Sequence, residues 1–360
     1  MAGRVPVVLG GSALHALEEH LAEKPASHAF ILGDPNTLRH CLPELLQKVP
    51  ALRMAEPIEV PEGESSKSLD VAAHIWQHLI DRQAGRDAIL VCLGGGVVTD
   101  LGGFVAGNFK RGMRLVHVPT SLMGMVDAAI GGKAAIDLAG VKNVVGVFHD
   151  AELVAVHVPF LRNLGKRELL NGLAEMLKHA LVKDALQWDA LVKAPLHDLD
   201  ALTPLILASV RIKAGIVSED PRESGQRKLL NFGHTIGHAI EAFSWEGAGR
   251  ALLHGEAVVA GMVAESWLSW RLGLLGREAY DRIAGHLLDL FPPAFWGPAD
   301  VHRLVELMRN DKKNREGGFR FTLLERIGEG VVDAEVNAAQ VIEALDHYRE
   351  RVGHEGALAH

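Results

Sequence analysis

Over its first 150 or so residues the chain alternates short apolar runs with amphipathic stretches, and nothing else in the sequence constrains the fold as much. Residues 5–9, 29–32, 58–60, 88–93 and 115–118 read as strands. Between them, 13–22, 37–49 and 68–82 carry helical spacing; in the last, Leu69, Ala72, Ala73, Trp76, Leu79 and Ile80 share a face. Strands that are apolar throughout must be covered on both sides. The expectation is therefore a parallel-type, nucleotide-binding sheet flanked by helices, an α/β N-terminal domain.

After Pro159 the texture changes. Residues 168–182, 202–217, 228–243 and 255–272 all show helical periodicity, and strand signals become few. This predicts an α/β domain over 1–157 and a mainly α-helical domain over 158–360. The one strand expected in the second half is 319–324, ending at a turn-like Gly328-Glu329-Gly330. No repeat or low-complexity linker separates the halves, so they are expected to pack closely, with the active site in the interdomain cleft.

Composition excludes several classes. At 360 residues, 48% hydrophobic and 23% charged, the chain suits a compact soluble protein. A formal charge of -8 argues against a nucleic-acid or anionic-membrane surface, so any anionic ligand needs a local cluster of Lys and Arg. No uncharged apolar run reaches the roughly 18 residues of a membrane span, and residues 1–10 lack a signal-peptide core. Two cysteines, Cys41 in an expected helix and Cys92 in an expected strand, do not make a disulfide framework, which points to a reducing, cytoplasmic setting.

Several clusters carry chemistry. Gly94-Gly95-Gly96 follows a strand and precedes a helix expected to start near Val98, offering backbone amides to a phosphate, although the spacing is not G-x-G-x-x-G. Asp100 would lie in the first turn. Arg111, Thr120, Ser121, Asp127, Gly131-Gly132-Lys133 and Lys142-Asn143 set polar and cationic groups in apolar, Gly-rich sequence. Glu64 and Lys67 could be a local ion pair. Glu175 and Lys178 lie one helical turn apart among leucines, so their burial is expected and must be offset. His234 and His238 fall four apart with His254-Gly255-Glu256 further on, a spacing that offers both histidines to a divalent metal. No glutamate follows His234, so the metalloprotease pattern is absent. Arg227, Asn231, His234 and His238 would form one polar stripe on a single helix that includes 228–243.

These residues, in this order along nearly the whole chain, resemble the 3-dehydroquinate synthase family of the sugar-phosphate cyclase superfamily. The resemblance implies an NAD- and zinc- (or cobalt-) dependent lyase that cyclises 3-deoxy-D-arabino-heptulosonate 7-phosphate to 3-dehydroquinate with phosphate release, the second step of the shikimate pathway. It puts the metal on Glu175, His234 and His254, leaving His238 to handle protons and phosphate. It puts NAD against Asp34, Glu62, Gly63, Glu64, Ser65, Ser66, Lys67, Gly95, Gly96, Val97, Val98, Thr99, Asp100, Thr120, Ser121, Asp127, Lys133, Lys142, Phe160, Leu161, Arg162 and Asn163. Lys178 and Asn231 join the catalytic set. The substrate carboxylate would meet Lys213, Arg227 and a lysine of Lys312-Lys313, with Lys313 favoured. Its phosphate would meet Lys133, Asn143 and His238, with Arg111 reaching in from the second subunit of a homodimer. Thr99 and Ala134-Ala135 depart from residues frequent in the family. Other sugar-phosphate cyclases, which make an inosose, a valiolone or an amino analogue, would not need the Lys213 and Arg227 carboxylate clamp. NAD- and metal-dependent polyol dehydrogenases would release NADH stoichiometrically.

Overall fold

The computed structural model describes residues 5–139, 141–247, 251–309 and 318–358. Two compact units emerge: residues 1–172 with 195–218, and residues 173–194 with 219–360.

The first unit is built on a six-stranded, all-parallel sheet in the order β1-β8-β5-β4-β2-β3. In chain order its elements are β1 (Val7–Leu9), α1 (Ala13–Glu23), β2 (Ala29–Gly33), α2 (Pro35–His40), α3 (Leu42–Lys48), β3 (Glu56–Glu59), α4 (Leu69–Asp81), β4 (Ile89–Gly94), α5 (Gly96–Asn108), β5 (Arg114–Pro119), the antiparallel hairpin β6 (Lys133–Leu138) and β7 (Val141–Phe148), and β8 (Leu153–Val156). Every residue of β4 is buried, as the apolar run 88–93 requires. The expected helix 37–49 is instead two, because Pro43 lies in the first turn of α3 and the chain breaks at Cys41. Sequence periodicity missed β6, β7 and β8.

The order of strands reverses beside β4. From β2 the chain crosses through α2 and α3 to β3 on one side, and from β4 it crosses through α5 to β5 on the other. The carboxyl ends of β2 and β4 are therefore a topological switch point, where open α/β sheets bind ligands. Asp34 follows β2 and Gly95 follows β4.

Further helices are α6 (Lys166–Lys183), α7 (Ala185–Val192), α8 (Leu199–Glu219), α9 (His234–Glu246), α10 (His254–Arg271), α11 (Arg277–Leu290) and α12 (Val301–Arg309). The chain closes with the antiparallel hairpin β9 (Phe319–Arg326) and β10 (Glu329–Val336) and with α13 (Ala338–Leu358). Gly328 makes the turn with φ 88, but Glu329 and Gly330, expected in the turn, already belong to β10. Helix α8 has the length and mean hydropathy, 1.4, that a membrane span would need. Its Lys213 is nevertheless buried and bonded to Asp127 within the first unit.

The second unit centres on α10, which is buried from Gly255 to Ser269. Its crossing with α9 is close because glycines line it. A Cβ on Gly237 would lie 3.0 Å from Val258 Cα, and one on Gly261 would run into the Gly233 carbonyl. Only glycine permits backbone contact of this kind.

Candidate metal and nucleotide sites

The expected helix over 228–243 does not exist as one element. Residues Gln226–Asn231 form a 3-10 turn, Gly233 adopts φ 78, and α9 begins at His234. Arg227 and Asn231 therefore leave the stripe. The left-handed Gly233 turns the chain so that His234 and His238 project from the first two turns of a new helix.

Three elements of the second unit then converge. Glu175 of α6 is fully buried, and its Oε1 lies 3.6 Å from His234 Nε2 and 3.7 Å from His254 Nε2. A tetrahedral metal with ligand bonds of about 2.0–2.1 Å separates its ligands by about 3.4 Å, close to both distances from Glu175. The other ring nitrogens are already held: His234 Nδ1 lies 3.1 Å from the Phe232 carbonyl and His254 Nδ1 lies 3.1 Å from Glu241 Oε2. Holding Nδ1 in this way aims Nε2 at a metal. Burial, with Lys178 adding to it, holds His234 well below the ordinary histidine range, so its lone pair is available. Burial also opposes protonation of His254, but Glu241 and Glu175 outweigh it and lift the group to about 10. Two carboxylates facing one imidazole favour positive charge there, which a divalent cation would supply.

His238 is exposed, with its ring 5.2 Å from that of His234 and 5.8 Å from that of His254. The donor atoms of these three histidines lie within 4.8 Å of one another, which leaves the ligand role of His238 open on geometry alone. Lys178 is 1% exposed and paired with Glu175, as burial of that pair had suggested.

Nearby in the second unit, Asp220 organises the turn that carries Arg227. It accepts from the amides of Ser224 at 2.9 Å, Gly225 at 2.6 Å and Arg227 at 3.1 Å. Burial would raise its carboxyl, yet these donors outweigh burial and hold it at about 2. Arg227 Nη1 donates to the Pro221 carbonyl at 2.6 Å, and Asn231 Nδ2 donates to Glu223 Oε1 at 2.6 Å. Glu223 and Glu241 were not foreseen. Lys312 and Lys313 lie outside the described residues.

In the first unit α5 starts at Gly96, two residues earlier than expected, so Asp100 falls in the second turn. Gly95, Gly96, Val97 and Asp100 are partly exposed, whereas Val98 and Thr99 face the core. The Thr99 hydroxyl turns back to the Gly96 carbonyl at 2.9 Å, and Ala134 packs where Gly103 leaves room for it, so neither departure from the family pattern opens a gap. Lys67, 3% exposed, donates to Asp100 at 2.8 Å and to Asn143 Oδ1 at 2.6 Å, and its ammonium lies 3.5 Å from Glu64. Burial alone would lower Lys67; Asp100 and Glu64 outweigh it and hold the ammonium charged.

Asp34 caps α2, accepting from the Thr37 amide at 2.9 Å. Glu62, Gly63 and Ser65 form an exposed loop, while Ser66 is buried and donates to the Gly63 carbonyl at 2.8 Å. Thr120 is buried, Ser121 accepts from the Gly124 amide at 3.1 Å, and Lys213 is tied to Asp127. Phe160 and Leu161 are buried and Arg162 and Asn163 exposed. Arg111 and Lys133 are exposed, and Lys142 lies 4.0 Å from Glu64.

The 3-dehydroquinate synthase N-terminal model matches residues 57–171, and the C-terminal model matches residues 172–314. The chain belongs to the 3-dehydroquinate synthase family. A 3-dehydroquinate synthase of Parabacteroides distasonis is 40% identical over 342 residues, covering 94% of this chain and 96% of that one. Another member of the family, from Saccharopolyspora erythraea, is 41% identical over 282 residues, 76% of this chain and 74% of its own. Among solved structures, the 2-epi-5-epi-valiolone synthase of Streptomyces hygroscopicus subsp. jinggangensis, with NAD+ and Zn2+ bound, superposes with a TM-score of 0.85 at 27% identity over 98% of both chains. A 2-deoxy-scyllo-inosose synthase shares the fold, with a TM-score of 0.81 at 22% identity over 95% of this chain and 96% of its own.

Proposed function

We propose that the chain converts 3-deoxy-D-arabino-heptulosonate 7-phosphate to 3-dehydroquinate with release of phosphate, a carbon–oxygen lyase of the shikimate pathway that uses NAD and a divalent metal, zinc or cobalt. The observation that carries this reading is Glu175 Oε1 standing 3.6 and 3.7 Å from two oriented histidine nitrogens. It occurs in a chain 40% identical to a 3-dehydroquinate synthase over 94% of its length. NAD and zinc are supported by the valiolone synthase that binds both.

When bound, the metal lowers the cost of deprotonating a secondary hydroxyl and NAD accepts and then returns a hydride, so the cofactor is regenerated. The chain's own groups do the rest. Glu175, His234 and His254 would hold the metal, three protein ligands being the set that suits a catalytic site. Lys178, paired with Glu175, orients its buried carboxylate. His238, exposed beside the ligands, takes the hydroxyl proton and later serves the departing phosphate. Arg227 and Lys213, with Lys313, clamp the substrate carboxylate, and Asn231 orients a hydroxyl. Lys133, Asn143 and Arg111 of a second subunit receive the phosphate, which makes the enzyme a homodimer.

The amides of Gly95 and Gly96 at the start of α5 hold the NAD pyrophosphate at the switch point of the sheet. Asp34, the loop from Glu62 to Lys67, Asp100 and the segment 160–163 complete that site. Most NAD contacts fall in the domain 1–157, with 160–163 the exception, and the metal ligands and carboxylate clamp fall in the domain 158–360. Two free, buried cysteines fit a cytoplasmic enzyme. The ligand assignment is tested by metal analysis: Glu175→Ala and His254→Ala lose zinc, while His238→Ala retains it and loses turnover. Equal zinc loss in all three variants would overturn the assignment.

A further inference from the structure

Helix α9 has no cap of its own. Its N-cap residue is Gly233, which has no side chain to accept from the free amides of the first turn. Glu265, eleven residues into α10 from His254, supplies both missing bonds. Its Oε2 accepts from the Gly233 amide at 2.6 Å, and its Oε1 accepts from the Ile236 amide at 3.0 Å. A capping box normally takes two side chains on the same helix, one serving the third helical amide and one serving the N-cap amide. Here one carboxylate from another helix does both.

Glu265 is 0% exposed, so its charge has been taken out of water and must be compensated. The two amides and the positive end of the α9 dipole provide that compensation. The bond also fixes register. His234, the first residue of α9, lies between the two amides that Glu265 grips, and its side chain faces His254 with ring centroids 5.2 Å apart. The backbone contact through Gly233, Gly237 and Gly261 lets the helices approach but does not stop one from sliding along the other. A bidentate carboxylate does.

We infer that Glu265 is the positioning residue of the metal centre: by capping α9 from α10 it sets the His234-to-His254 spacing and hence zinc affinity, without touching the ion. This rests on the proposed Glu175, His234 and His254 ligand set.

The test is zinc affinity of the full-length protein by competition with a chromophoric chelator, in wild type, Glu265→Gln and Ser269→Ala. The Gln variant keeps the shape but turns an amide donor toward a backbone donor. The Ser variant removes the bond that Ser269 receives from the Leu324 amide at 3.0 Å and the one it donates to the Glu265 main-chain carbonyl at 2.7 Å, leaves the Glu265 carboxylate intact, and serves as a control for loss of stability on the same helix. Zinc binding 10- to 100-fold weaker in Glu265→Gln is expected, with Ser269→Ala within about threefold of wild type despite a lower melting temperature. Unchanged affinity in Glu265→Gln, or equal weakening in both variants, overturns the inference. Should Glu265→Gln not fold, Glu265→Asp, which keeps the charge but falls one methylene short, is read the same way. Failure of the wild type to bind zinc would instead sink the metal assignment itself, and the inference with it.

Discussion

Two buried lysines, Lys67 in the first unit and Lys178 in the second, are 3% and 1% exposed, and each is paired with a carboxylate. Their surroundings differ. Lys67 meets Asp100, Glu64 and the Asn143 amide, and that cluster holds its charges by itself. Beside Lys178, Glu175 also faces two histidines, one stripped of its proton by burial and one keeping a proton against burial. The first cluster braces a strand-end loop against the helix that follows β4. The second is arranged on helices and brings one carboxylate oxygen within 3.7 Å of two imidazole nitrogens. A buried ion pair thus closes on its own side chains in one unit and, on the proposed ligand assignment, borders a metal in the other.

The comparison breaks most visibly under substitution of the second cluster. Glu175→Ala is expected to lose the metal and roughly 10³-fold or more in turnover, with NAD affinity of the first unit unchanged in equilibrium titrations. His238→Ala is expected to lose roughly 10²- to 10⁴-fold in turnover with zinc retained, measured by metal analysis on the same preparation.

A smaller effect is expected in the first cluster. Asp100→Asn removes a charged partner of Lys67 and should weaken NAD roughly tenfold while zinc content stays at wild-type level. Zinc loss in that variant would erase the distinction between the clusters. Gly261→Ala sharpens it from the other side. With the Gly233 carbonyl in the way of a Cβ, melting should show a loss of about 1–3 kcal/mol or more. Zinc affinity should fall with it.

The smallest effect is on pH dependence. Asp220 has a folded-state carboxyl held at about 2, below its ordinary value of about 3.9. A lowered carboxyl stabilises the folded state above about pH 3.9, and that contribution is lost as pH falls toward 2. Wild type should therefore lose order in the 220–227 turn across that window, followed by amide exchange. Asp220→Asn should show the looser turn at every pH.

Much of the first unit was legible because β2 and β4 are continuous apolar runs and α4 has helical periodicity, although Leu69, Ala73 and Ile80, expected on its apolar face, are exposed and Ile75 is buried instead. The β6 and β7 hairpin was not. In β7, Lys142, Asn143 and Gly146 interrupt the valines and no face is consistently buried, so the segment reads as a loop. β8 is only four residues long and borrows its identity from the strands beside it. In the second unit helical periodicity ran straight through Gly233, because a glycine with positive φ leaves no mark on hydrophobic spacing.

Glu175, His234 and His254 were legible by resemblance, and their meeting was not deducible from spacing because they come from three helices. The residues behind them left fainter signals. Glu265 stands in the run Met262-Val263-Ala264-Glu265-Ser266, and a carboxylate in so apolar a helix must find donors. Sequence alone could pose that question but could not name the Gly233 and Ile236 amides as the answer.

The most direct test of the central claim is a paired assay on the purified protein with zinc, a catalytic amount of NAD and 3-deoxy-D-arabino-heptulosonate 7-phosphate, following inorganic phosphate and absorbance at the NADH band together. Phosphate released over many turnovers per NAD, with no NADH accumulating, is the predicted result. No phosphate release, or NADH accumulating one for one with product, would contradict it.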